Sequence, residues 1–422
     1  MHPKPYTPVE PGRLLGIAKN WGTPTYVYSE KVIKDRCLSL QNLFSDLPVS
    51  WLYAVKANDN PHILKLIGET GMGFDTVSYE EVLLCLKLGT NPQKIFYTEN
   101  NMSDAEMHGS ADKGVVLNIG SIDRLQKFCE SYSGSNCCIR IKPDISDGHH
   151  KKVDTGNLDS KFGIRIDKLP EAVAIAEKHN VSITGIHAHI GSGIKNPENL
   201  ITEIEVLLNI AHNFNRLEFI NFGGGIPIPY RKGESQFDLS LFNKLVSERL
   251  KSFLSENNQN YRFLFEPGRW VTGPAGLLLT QITAVKDQGR RVFLGTDTGF
   301  NHLLRPALYD AYHEVMNISA VSNMTEKPPD EMRYDIAGNI CESGDVLAEN
   351  RLLPLSNAGD YLAICDTGAY GMTMASHYNR RAMPAEILIT GDGHEKSIRT
   401  RKSPERTVND FLVDTNFENH DD

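Results

Sequence analysis

Five short stretches carry side chains whose types could do chemistry. Lys56 closes the apolar run "YAVKAN", and His187, His189 and Ser192 lie in "HAHIGSG". Gly223, Gly224 and Gly225 form the triple glycine of "FGGGIPIPY", Glu266, Gly268 and Arg269 share "FEPGRW", and Cys341 precedes Glu342 in "AGNICESGDVL". Each has an ordinary reading. A lysine at a strand end is usually a solvated rim residue, a histidine a packing residue, and a glutamate near an arginine a structural ion pair. A glycine run can simply turn, and Cys341 on spacing alone is a small buried hydrophobe. Jointly they say more. An amine, a run of exposed backbone N–H groups and a carboxylate are the set that pyridoxal phosphate demands: the amine bonds its aldehyde, the N–H groups cradle its phosphate, and the acid keeps its pyridine nitrogen protonated. A lysine with a phosphate site also suits a cofactor-free aldolase, but that reading leaves His189 and Cys341 without a role.

The reactive residues sit at the ends of apolar runs, and those runs define the elements that must position them. The candidate strands are "VSWLYAV" (49–55), "MGFDTV" (72–77), "KIFYT" (94–98), "GVVLNI" (114–119), "NCCIRIK" (136–142), "ITGIHAHI" (183–190), "LEFINFG" (217–223) and "RFLFEPG" (262–268). Helical patterns alternate with them: "NPHILKLIGETG" opens on an Asn-Pro start signal, and "SYEEVLLCLKLGT" on a serine cap followed by acids. Near-continuous apolar strands separated by helices predict parallel strands buried on both faces, and a run of eight predicts a (β/α)8 barrel over residues 30–275 rather than an open doubly wound sheet. Lys56, His189, the triple glycine and Glu266 then fall where such barrels do chemistry, at the strands' C-terminal ends.

After Gly268 the runs "AGLLLTQITAVKD", "RRVFLGTDT", "MRYDIAG", "YLAICDTGAY" and "AEILITGDG" are separated by turns, which predicts a mostly antiparallel second domain over 276–422. The early run "PTYVYSE" (24–30) has no place in the barrel and is expected to pair with that sheet, so that 1–29 joins the second domain. The acidic tail 416–422 is expected to be loose.

A formal net charge of −9 argues against a nucleic-acid backbone or an anionic membrane as main partner. No run approaches the ~18 apolar residues of a membrane span, and the first residues contain no apolar signal core, so a cytoplasmic location is expected. Seven cysteines without C-x-x-C spacing indicate neither a disulfide framework nor a zinc site, and no metal is expected.

"YAVKAN", "HAHIGSG", "GGGIPIPY", "EPGRW", "LLRPALYDAYH", "GNICESGDVL" and "GAYGMTMASHYNRRAMPAEIL" occur in the order found in the alanine-racemase-like, fold type III pyridoxal-phosphate decarboxylases, which this sequence resembles from about Pro24 to Leu412. The likeness is strongest to the branch that acts on diaminopimelate. It implies a pyridoxal-phosphate barrel with a β-rich second domain, and the conversion of meso-2,6-diaminopimelate to L-lysine and CO2. Carried over by motif, Lys56 resembles the Schiff-base lysine, His189 the imidazole stacked on the cofactor ring, and Glu266 the acid at the pyridine nitrogen. Ser192, Gly223 to Gly225 and Tyr370 resemble the phosphate ligands, and further cofactor contacts are implied at Asp75, Gly268 and Arg269. Arg269, Arg305, Tyr309, Glu342 and Tyr370 resemble substrate contacts, where arginines and a tyrosine hydroxyl suit a far carboxylate and Glu342 an ammonium. Cys341 resembles the donor that returns a proton to Cα from the neighbouring subunit. The resemblance therefore implies a homodimer with shared active sites. The sequence departs from the family pattern at Gly193 and Asp310, and 147–164 is similar to one branch of the family alone.

Overall fold

A computed structural model describes residues 7–143, 160–189, 191, 196–257, 260–322 and 330–416. Ser192, Gly193, most of the 147–164 segment and most of the acidic tail lie outside the described residues. The chain divides into two compact units, one of Ile33–Pro229 and Ser235–Val271, the other of Met1–Val32, Tyr230–Glu234 and Thr272–Asp422. The excursion at Tyr230–Glu234 into the second unit has no counterpart in the expected boundaries.

The first strand of the chain, β1 (Thr25–Ser29), belongs to the second unit. The first unit is built on β2 (Val49–Ala54), β3 (Gly73–Thr76), β4 (Ile95–Thr98), β5 (Val116–Ile119), β6 (Asn136–Lys142), a two-residue β7 (Ile164–Arg165), β8 (Ser182–His187), β9 (Phe219–Asn221) and β10 (Arg262–Phe265). Without β7 they run β5-β4-β3-β2-β10-β9-β8-β6, and β6 pairs back with β5 to close an eight-stranded barrel. Its ladders are parallel, for example Ala54 opposite Asp75 and His187 opposite Asn221. Both faces are covered, so the strands read as unbroken apolar runs rather than as alternation.

Local sequence starts the intervening helices as expected. Asn60 accepts the His62 N–H at 3.0 Å ahead of Pro61–Glu69, Ser78 accepts the Glu81 N–H at 3.2 Å ahead of Tyr79–Lys87, and Ser103 with Glu106 forms a capping box. Around Trp51 of β2 and the C-terminal residue of β10, Phe265, the rings of Phe44, Trp51, Phe242 and Phe265 cluster in the wall, with Trp51 and Phe265 ring centroids 5.2 Å apart. Each such ring contributes roughly 1.5–3 kcal/mol by leaving water.

The second unit holds one branched sheet. It comprises β1, β11 (Gly276–Asp287), β12 (Val292–Thr296), β13 (Val315–Asn317), β14 (Glu331–Ala337), β15 (Val346–Pro354), β16 (Tyr361–Ile364), β17 (Ala385–Ile389) and β18 (Glu395–Arg399). β1 joins it as the early run predicts, antiparallel to β11 and parallel to β17. β12 and β14 are also parallel, while the other ladders of this sheet are antiparallel. Three strands escape the sequence reading, β13, β15 and β18. "VLAENRLLP" of β15 has polar residues at its centre because that part is exposed, so no apolar run marks it. The helix Pro11–Trp21 packs Leu14, Ile17 and Ala18 against Val27, Leu277, Leu279, Ala363 and Ile387, so residues 1–29 bring a helix as well as a strand.

Candidate active site

Strands β2, β8, β9 and β10 end one to three residues before the runs that mark them in the sequence, and the reactive residues lie in that margin or directly beyond it. Lys56 lies in the 3-10 turn Val55–Ala57 after β2, His189 two residues after β8, the glycines directly after Phe222, and Glu266 directly after β10. Beyond its last ladder bond a side chain is freed from strand packing, and these groups share the C-terminal mouth where parallel barrels place chemistry. A cavity of about 440 Å³ opens at the other mouth among Leu52, Phe96, Phe219, Leu264, Lys94 and Arg262, the end of a barrel that serves stability.

Lys56 Nζ lies 3.2 Å from Asp75 Oδ2, and its side chain is 38% exposed while that of Asp75 is fully buried. Thr98 Oγ1 donates to the other Asp75 oxygen at 2.8 Å. Burial pushes the Asp75 carboxyl up, with the nearby Glu266 charge adding to it, while Lys56 and Thr98 pull it down. Glu266 is buried too, and desolvation raises its carboxyl against the pull of Lys56 and Asn221. Both of its oxygens are engaged: Asn221 Nδ2 donates to Oε1 at 2.7 Å, and His187 Nε2 lies 3.3 Å from Oε2. Desolvation, assisted by Arg140, lowers the His187 imidazole well below its usual range, so His187 is the neutral donor.

The triple glycine is required by space. Gly223 adopts φ +65°, and a Cβ there would come within 2.7 Å of the Ala188 carbonyl oxygen; one at Gly224 would come within 2.4 Å of the Glu266 carbonyl oxygen. Gly223 N–H donates to Asn221 Oδ1 at 3.0 Å, and Gly224 N–H to His189 Nδ1 at 3.2 Å. Burial and the neighbouring Lys56 depress the His189 imidazole, and a ring that accepts at Nδ1 while neutral carries its proton on Nε2. Arg269 is buried at the start of the short helix that follows Gly268.

The second unit carries the remaining candidates. Cys341 is the exposed member of seven unpaired cysteines. Its N–H donates to Asn379 Oδ1 at 3.0 Å, and the neighbouring Glu342 accepts from Tyr378 Oη at 2.6 Å. Asp345 shapes the loop: its Oδ1 accepts from Phe300 N–H at 2.6 Å and its Oδ2 from Ile340 N–H at 2.7 Å. Arg305 is no surface cation; it is buried, 2.9 Å from His313 Nε2 and 4.8 Å from the Tyr230 ring centroid. Its helix ends at Tyr309 because Asp310 turns left-handed, with φ 51°. Tyr370 holds φ +57°, a strained conformation for a residue with a Cβ.

The sequence reading missed Asn221, Arg140 and Thr98, and passed over His187. The available signal was polarity inside apolar runs, the Arg of "CCIRIK" and the Asn of "FINFGGG". The residues fit pyridoxal phosphate. An amine at the rim, a turn that only glycine can make and a carboxylate held by neutral donors lie together, and the buried Asn118 amide and His187 Nδ1 have no hydrogen-bond partner among the described residues. Those described residues contain no helix long and apolar enough to cross a membrane and no cluster of metal-ligating side chains.

Comparison with known proteins agrees with this chemistry. Residues 30–273 match the family described as "Pyridoxal-dependent decarboxylase, pyridoxal binding domain". The diaminopimelate decarboxylase of Methanothermobacter thermautotrophicus is 38% identical over 398 residues, covering 92% of this chain and 91% of that protein. That of Escherichia coli K12 is 33% identical over 407 residues, covering 94% and 95%. The crystal structure of diaminopimelate decarboxylase from Helicobacter pylori complexed with L-lysine superimposes with a TM-score of 0.84 at 28% identity, covering 96% of this chain and all of that one.

Proposed function

This chain belongs to the diaminopimelate decarboxylase family of pyridoxal-dependent enzymes, and from that premise we propose that it converts meso-2,6-diaminopimelate to L-lysine and CO2 with the residues assembled above. The observation that carries the reading is the buried Glu266 carboxylate, its two oxygens held by the neutral donors Asn221 and His187 a few residues from a glycine-only turn and a rim lysine. When bound, pyridoxal phosphate supplies the electron sink for the pair left behind by departing CO2.

The chain's own residues supply the rest. Lys56 Nζ anchors the cofactor through its amine, and Asp75 orients that amine. Glu266, held by Asn221 and His187, would keep a cationic ring nitrogen protonated. His189, its Nδ1 taken by the Gly224 N–H, would pack on the ring, and Gly225 with Ser192 and Tyr370 would hold the phosphate. Gly223 and Gly224 support the turn, since their N–H groups are already given to Asn221 Oδ1 and His189 Nδ1. Arg269, Arg305, Tyr309 and Tyr370 take the far carboxylate of the substrate and Glu342 its ammonium. Cys341 Sγ–H donates the proton that replaces the carboxyl group at Cα. In this reading Cys341 and Glu342 serve the barrel of a second copy, so the working form is a homodimer with two shared sites. Seven cysteines kept as thiols suit a cytoplasmic, reducing setting.

The experiment is CO2 release from meso-diaminopimelate, lysine, ornithine and arginine by protein supplied with pyridoxal phosphate. Turnover of meso-diaminopimelate at least about a hundredfold above the others is expected, since substrates without the far carboxylate offer Arg269, Arg305 and Tyr309 no anionic acceptor. Equal or faster release from ornithine or arginine would overturn the substrate assignment.

A further inference from the structure

The geometry points to Asn221 as a positioning residue that ties the Glu266 carboxylate to the glycine turn, so that one hydrogen-bonded ring sets both ends of the cofactor site. The inference rests on the cofactor reading above and adds to it a residue outside the expected catalytic set. Asn221 is the last residue of β9 and is fully buried. Its Nδ2 donates to Glu266 Oε1 at 2.7 Å, its Oδ1 accepts from Gly223 N–H at 3.0 Å, and Glu266 N–H donates to the Gly223 carbonyl at 2.7 Å. These three bonds close a circuit through the ends of β9 and β10.

The orientation of the amide follows from its partners. An ionised carboxylate can only accept and a backbone N–H can only donate, so the nitrogen must face Glu266 and the oxygen Gly223. Leucine would satisfy neither partner. Aspartate would keep the bond to Gly223 but set a second carboxylate against Glu266. An amide alone serves both, and it does so without charge, which leaves the Glu266 charge for a cationic ligand. With His187 on the other oxygen, the carboxylate cannot swing without breaking a bond that also shapes the turn.

The test compares the full-length parent with Asn221→Leu and Asn221→Asp. The readouts are the Kd for pyridoxal 5′-phosphate, from protein fluorescence, and the pH dependence of the bound cofactor's visible absorbance. In Asn221→Leu, Kd is expected to rise about tenfold, because Gly223 N–H and Glu266 each lose a buried partner. In Asn221→Asp, Kd should stay within about twofold, while the acid limb of the absorbance profile moves up by about one pH unit as two facing carboxylates share a proton. That movement should vanish when Glu266→Gln is added, which a merely structural role for Asn221 does not require. Kd and profile both unchanged in Asn221→Leu, or a shift that persists beside Glu266→Gln, would overturn the inference. If Asn221→Leu does not fold, Asn221→Asp decides on its own. A parent with neither a visible band nor CO2 release would sink the decarboxylase reading itself, a result distinct from normal parent behaviour with indifferent variants.

Discussion

At the scale of single residues, burial converts ordinary side chains into a matched set. Lys56 keeps part of its surface at the rim while its partner Asp75 is sealed from water. Asp75 and Glu266 are pushed toward protonation and His187 and His189 toward neutrality, so the fixed charges at this barrel mouth come from a few groups whose environments oppose one another. If Lys56 anchors the cofactor, Lys56→Ala should abolish the visible absorbance of the loaded protein and lower turnover by roughly 10³-fold or more, with some loss of thermal stability because the buried Asp75 loses its cationic partner. A retained visible band in that variant would remove the assignment.

At the scale of elements, the loop from Ala337 to Leu347 shows how backbone is held for a side chain's benefit. Asp345 is 3% exposed and takes the N–H groups of Phe300 and Ile340, and Gly338 N–H donates to its carbonyl at 2.9 Å. No room is left for a Cβ at Gly338, which would fall 2.1 Å from the carboxylate. Asp345→Ala strands two buried donors, so a loss of about 2–4 kcal/mol in urea unfolding is expected, together with a fall in kcat of about tenfold as Cys341 loses its placement. The pH dependence has a definite sign. Burial raises the folded Asp345 carboxyl above its unfolded value, so the folded state holds the proton more tightly, and this group's contribution to stability falls as pH rises from about 4 through the raised folded value and is constant above it. Asp345→Asn should flatten that slope, and an unchanged slope would show that another group sets it.

At the scale of the whole molecule, a Cys341 that serves the barrel of a second copy would make the proposed reaction depend on two copies. Lys56→Ala and Cys341→Ala proteins, each inactive alone, should regain up to about a quarter of parent activity when mixed and allowed to exchange subunits, because some hybrid dimers then hold one intact pair of Lys56 and Cys341. Sedimentation should show a dimer in each sample. No regain after proven exchange would argue against sharing.

Much of this was legible in the sequence. Eight apolar runs with helical patterns between them determined the barrel, since a strand buried on both faces has to be apolar throughout, and cap residues such as Asn60 and Ser78 act over a few positions. The polar residues and glycines at the C-terminal ends of those runs, or directly beyond them, named Lys56, His189, the triple glycine and Glu266. What only the tertiary structure decided were meetings between distant residues. β1 pairs with β17 through backbone groups that are alike in every residue, which leaves no mark in the amino-acid pattern. Asn221 and Glu266 lie 45 positions apart and His187 and Glu266 lie 79 apart, so neither hydrogen bond has a period or spacing to betray it. The same holds for Cys341. Its neighbours in sequence allowed a buried thiol or a reactive one, and exposure on a loop fixed by Asp345 is a property of the fold, because one of the donors that hold Asp345, Phe300 N–H, comes from a turn 45 residues away.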